Sequence, residues 1–135
     1  MVWRRDVIVW ARETMALGAT KVDRHGAVAT FTTPVLDLPG RPIPIFTPGH
    51  TSGHCAFHLP ERGALLAGDA LMTEHALAHP AGPTLLPAFF NHDNDQARAS
   101  LNALSGLAAD VVVPGHGPVY QGSPAAAVAA ASTAT

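Results

Sequence analysis

The chain has 135 residues, the length of one ordinary domain; 47% are hydrophobic and only 13% charged. That composition supports a packed core and argues against intrinsic disorder. Net charge is −2, which leaves no basic excess to hold phosphates, so no nucleic-acid partner is expected. One cysteine, Cys55, excludes an internal disulfide framework and any CxxC metal or redox site. Eight histidines stand out in a chain so poor in charge.

Near the N-terminus, Trp3, Val7, Trp10 and Thr14 recur at helical spacing and Gly18 is a natural stop, which predicts a helix over residues 4–17. Trp3 and Trp10 are its core or interface anchors. Its apolar run, Val7 to Ala11, ends at Arg12 and Glu13. It is too short for a secretory core or a membrane span, so a cytoplasmic location and no membrane partner are expected. Residues 27–33, AVATFTT, alternate and are β-prone, which predicts a strand. Ile43–Thr47 is a second short strand, and Pro44 inside it points to a sheet edge. Cys55–Leu59 is a strand, Pro60–Gly63 a turn, and Ala64–Ala67 a nearly all-apolar strand expected to be buried on both faces. Residues 71–92 read as a long connection with room for a short helix.

Asp93 with Gln96 fits a helix-capping pair. Ala97, Leu101, Leu104 and Ala108 then predict an amphipathic helix over 94–108. Asp110–Val113 is a short strand. Residues 123–135 are an alanine-rich tail in which Ala125–Ala131 form one or two helical turns. No internal repeat and no second domain is visible, so residues 1–135 read as a single, partial domain.

Three segments share one layout. Ile43 to Phe46 leads through Thr-Pro-Gly to His50. Ala64 to Gly68 leads to Asp69. Asp110 to Val113 leads through Pro-Gly to His116. In an open sheet with helical crossovers, groups just past strand ends gather along one rim, where ligands bind. Two imidazoles and a carboxylate suit zinc, and also iron or manganese. A carboxylate has two oxygens and can bridge two ions. Read singly, each Gly-His or Gly-Asp is an ordinary turn; the recurrence at three strand ends is what points to a metal.

The segments TPGHTSGH at 47–54, GD at 68–69 and PGHG at 114–117 resemble the metallo-β-lactamase superfamily of metal-dependent hydrolases, in its hydroxyacylglutathione-hydrolase-like branch. The resemblance covers roughly residues 35–120. It implies an α/β fold, the C-terminal half of an αββα sandwich: a mixed sheet with flanking helices. It also implies a dinuclear zinc site, with iron or manganese as alternatives. His50 and His116 would each bind one metal, and Asp69 would bridge both and position the attacking hydroxide. His54 would be structural, or would support a ligand.

The family's HxHxDH motif, which supplies most of its ligands, is not present here. The only histidine before His50 is His25, in DRHGA, which does not fit. The chain therefore looks like a half-fold with an incomplete site. The expected activity is hydrolysis of a small-molecule ester, thioester, lactone, amide or phosphoester by a metal-bound hydroxide. The expected partner is a second copy or a complementing chain over the uncovered inner sheet face. The alternative is an inactive half-domain or truncated product, serving at most in assembly. A noncatalytic metal module built on His75, His79 and His92 ranks third. His75 and His79 read as lid or surface residues, His92 as part of a helix entry, Cys55 as a small core residue, and His58 as pointing to the face opposite Phe57 and Leu59, with no role needed. Phe89 and Phe90 are expected to pack in the core rather than wall a substrate pocket.

Overall fold

The structure, a computed structural model, describes residues 5–22, 26, 30–78, 80 and 82–134. The chain divides into two compact units, residues 1–32 and 33–135. In the first, helix α1 spans Arg5–Ala16. Thr14 Oγ1 donates to Trp10 O at 2.6 Å along it, and Gly18, in a left-handed conformation, follows it. Trp3, His25, His79 and residues 27–29 lie outside the described residues.

The second unit is built on one five-stranded mixed sheet in the order β1-β2-β3-β4-β5. The strands are β1 Ile43–Phe46, β2 Cys55–Leu59, β3 Ala64–Met72, β4 Val111–His116 and β5 Tyr120–Gln121. Pairing is antiparallel except for β3 with β4. A parallel pair needs a crossover, and α2 (Asn94–Ser100) and α3 (Asn102–Ser105) supply it. Pro44 sits on β1, at the sheet's edge, where a missing ladder donor is tolerated. Helix α4, Pro124–Thr133, closes the chain; the Ser123 hydroxyl accepts the Ala126 N–H and Pro124 occupies the first turn.

Within this second unit the helices cover one face of the sheet. Ala56, Leu65, Ala67 and Val112 from the strands pack with Leu101, Leu104, Ala127, Val128 and Ala131 from the helices. His58 shares that buried face, and its Nε2–H donates to Ala108 O at 2.9 Å. It ties β2 to the segment that enters β4. His58→Ala leaves a cavity and an unpaired carbonyl, so the expected loss is about 2–4 kcal/mol of folding stability, read from the urea midpoint.

Several sequence expectations change. Residues 30–33 form no strand; Pro34 lacks a ladder donor, and the Thr33 hydroxyl turns to Val35 O instead. The third strand runs on to Met72 and is not buried on both faces. Leu65 and Ala67 are buried, but Leu66 between them is 38% exposed. Leu66 shares an open face with Phe57 and Val113, its register partners, and with Phe46, which is 61% exposed. Cys55, opposite Phe46, is half-buried rather than a core residue. The 94–108 helix breaks at Leu101, whose N–H bonds Arg98 O three residues back, a tighter turn than α. Residues 88–90 do form a short helical turn, but Phe89 is 71% exposed and is no core residue.

Candidate metal centre

The turn Thr47–Pro48–Gly49–His50 leaves β1 and docks on the start of α2. The His92 N–H bonds His50 O at 3.1 Å, the Asp93 N–H bonds Gly49 O at 2.9 Å, and the Ser100 hydroxyl bonds Pro48 O at 2.6 Å. Asp93 in turn caps α2, its side chain accepting the Gln96 N–H. His92 is thus part of the helix entry and an exposed residue. Asp69 lies within β3, where the pairing with β4 shifts register on both sides of Gly68. His116 ends β4; its carbonyl accepts the Thr73 and Glu74 N–H groups at 2.9 and 3.4 Å.

These three positions meet. His50 Nε2 is 3.2 Å from Asp69 Oδ2, and His116 Nε2 is 3.4 Å from Asp69 Oδ1. One carboxylate therefore faces an imidazole on each oxygen. His50 Nδ1 faces Asn91 Oδ1 at 3.4 Å, while Asn91 donates its amide to Asn94 Oδ1 at 2.9 Å. A proton on Nδ1 serves that contact and leaves the Nε2 lone pair aimed at a carboxylate oxygen. In that tautomer two acceptors face one another, an arrangement that a proton or a cation between them would satisfy.

The separations fit one. A charge-assisted N–H···O bond is about 2.7–2.9 Å. Two ligands at about 2.0–2.2 Å from a tetrahedral ion lie roughly 3.3–3.5 Å apart. The observed 3.2 and 3.4 Å sit nearer the second range. Backbone is also brought close: a Cβ on Gly115 would run into Asp69 Oδ1 and come within 2.9 Å of Gly68 C. Only glycine lets β4 pass this close to the carboxylate. Among the described residues, no three His, Cys, Asp or Glu side chains gather around a single point. The arrangement is two imidazole–carboxylate pairs that share Asp69, not one closed cluster.

His54 stands behind the carboxylate. Its Nε2 accepts the Asp69 N–H at 3.2 Å, and its Nδ1–H faces Thr47 O at 3.1 Å and Thr47 Oγ1 at 2.8 Å. It locks the His50 turn to the strand that carries Asp69. Burial, first of all, holds His54 below the usual histidine pKa, with a smaller push from His50; the bond to Thr47 O and the Asp69 charge oppose this. The neutral form is the one that can accept from Asp69.

His75 lies at the site but is no surface residue: it is 7% exposed. Burial and then His116 lower its pKa, against the pull of Asp69. Nothing in the sequence indicates that Asn91 lies against His50, 41 positions away; only its nearness to the α2 cap hints at a fixed conformation.

The fold and this rim define a metallo-β-lactamase-type protein. The metallo-β-lactamase superfamily model matches residues 4–116, and the chain belongs to that superfamily. A probable metallo-hydrolase of Bacillus subtilis, YflN, is 35% identical over 82 residues, covering 54% of this chain and 30% of that protein. The hydroxyacylglutathione hydrolase of Rhizobium meliloti is 53% identical over 36 residues, 26% of this chain and 14% of that one. Among solved structures, a metallo-β-lactamase family protein from Thermus thermophilus aligns with TM-score 0.55 at 24% identity, over 93% of this chain and 45% of its own. A di-iron-bound structure aligns with TM-score 0.51 at 24% identity, over 85% and 55%. These structural likenesses speak to the fold. The chain spans less than a third of the two sequence relatives and about half of the two structures.

Proposed function

We propose that this chain carries part of the dinuclear metal site of a metal-dependent hydrolase acting on a small-molecule ester, thioester, lactone, amide or phosphoester. The observation that carries the reading is the Asp69 carboxylate with one imidazole nitrogen facing each of its oxygens. The donor set is neutral nitrogen plus anionic oxygen, which suits zinc and also iron or manganese. The di-iron form of a structural neighbour supports keeping iron in view. When bound, a metal pair supplies a nucleophile from water at neutral pH and polarises the scissile carbonyl or phosphoryl oxygen.

The chain's own residues would hold the pair. Asp69 sets the spacing between the half-sites, and the His54 contact to its N–H fixes where its side chain starts. His50 and His116 would complete one half-site each. That gives two protein ligands per ion, where catalytic zinc sites hold three. The rest of each coordination sphere comes from a preceding half of the fold or from a second chain. That remainder would also cover the open sheet face that carries Phe46, Phe57 and Leu66, and without it His50, Asp69 and His116 would hydrolyse little.

Zinc, iron(II) and manganese(II) titrations of the chain, with metal content measured after dialysis, test the reading. The expected result is two equivalents of modest affinity, one lost in His50→Ala and the other in His116→Ala. Metal uptake that survives both substitutions together would place the site elsewhere.

A further inference from the structure

The geometry points to His75 as a positioning residue that holds the His116 imidazole toward Asp69; it rests on the function proposed above. The two half-sites are supported differently. His50 is steered by the amide of Asn91 at its Nδ1. The His116 side chain is 45% exposed, and its ring lies against His75, centroids 5.0 Å apart and planes at 77°.

His75 is itself tightly fixed. Its Nδ1 accepts the Leu77 N–H at 3.1 Å, and its backbone closes on Ala78 through two hydrogen bonds of 3.0 and 2.9 Å. Phe90 packs on the ring with centroids 4.9 Å apart, and Phe89 backs Phe90 at 4.3 Å. The run of rings thus starts at exposed Phe89 and ends at His116. The backbone supports the same contact, because Thr73 and Glu74, just before His75, bond the His116 carbonyl.

An exposed histidine samples several rotamers, and each one that turns Nε2 away from Asp69 weakens a half-site. A buried ring held at three points gives His116 a fixed wall and removes those rotamers. Residues that orient metal ligands in this way change metal affinity by about 10–100-fold. The contact is ring against ring, so another flat aromatic side chain should replace it.

The test uses the full chain with zinc, calorimetry for affinity and NMR for the His116 ring signals, metal-free and loaded. In His75→Ala, the equivalent assigned to His116 should weaken by about tenfold or more. The equivalent assigned to His50 should stay as it was. The metal-free His116 ring signals should move toward those of a free histidine. His75→Phe should restore both the affinity and the ring signals. Unchanged affinities and signals in His75→Ala would overturn the assignment, as would a His75→Phe chain no better than His75→Ala. Should the unaltered chain take up no zinc, the function proposed above fails. The metal-free His116 signals then decide this inference by themselves: moved toward a free histidine in His75→Ala and restored in His75→Phe, it stands; otherwise it falls.

Discussion

Asp69→Ala is expected to abolish binding of both metal equivalents, whereas each histidine substitution removes one. Asp69 offers one oxygen to each imidazole, so its loss leaves His50 and His116 as isolated single ligands. A lone imidazole on a solvent-reached rim holds zinc weakly, and the expected drop exceeds about 100-fold for both ions. Asp69→Asn separates charge from shape. The amide keeps one oxygen but turns an NH2 toward the other imidazole nitrogen, and it removes the negative charge. One half-site should be lost and the other weakened. Neither substitution should unfold the metal-free chain, because the side chain lies at a partly exposed rim and its backbone N–H still reaches His54. Metal analysis and calorimetry read the first effect, and the thermal midpoint without metal reads the second. An Asp69→Ala chain that retains one tight equivalent would show that the carboxylate is not shared.

The three rim positions were legible because each sits where a short apolar run meets Gly or Pro. Both signals are local, although only His50 lies past its strand: Asp69 falls inside β3 and His116 is the last residue of β4. What required the folded chain was long-range. Leu66 reads as a core residue because its neighbours are apolar, yet its face of the sheet lies away from the helices. Strand β5 has only two residues, too few to carry an alternation, and exists because Val111 and Val112 of β4 offer it an edge. Periodicity ran through Leu101 without a break, since apolar spacing does not record whether a hydrogen bond reaches back three residues or four. His75 is set by packing against Phe90 and His116, 15 and 41 positions away, and nothing near it in sequence announces a buried ring. In each case the missing information was which surface a segment meets.

Gly49→Ala should cost more stability than any other single methyl group added to the TPGHTSGH segment. Gly49 has φ +133°, where an L side chain is strained, at about 1–3 kcal/mol. Its Cβ would also collide with the backbone of Ala97 and lie 2.6 Å from the Ala97 side chain. Ala97 is buried in α2, so the helix cannot simply step aside; overpacking of this kind adds about 1–3 kcal/mol. The two effects together predict a loss of roughly 3–5 kcal/mol, seen as a lower urea midpoint. If the chain stays folded, the turn must lift off α2. That movement strains the bonds from His92 to His50 O and from Asp93 to Gly49 O, and draws His50 away from Asn91. The metal equivalent assigned to His50 should therefore weaken while that of His116 persists. Gly53 lies in the same segment, with nothing within 4 Å of an added Cβ and no positive φ, so Gly53→Ala should leave both readouts close to those of the unaltered chain. Equal stability of the Gly49 and Gly53 variants would mean that the turn does not rest on α2, and the support argued for His50 would go with it.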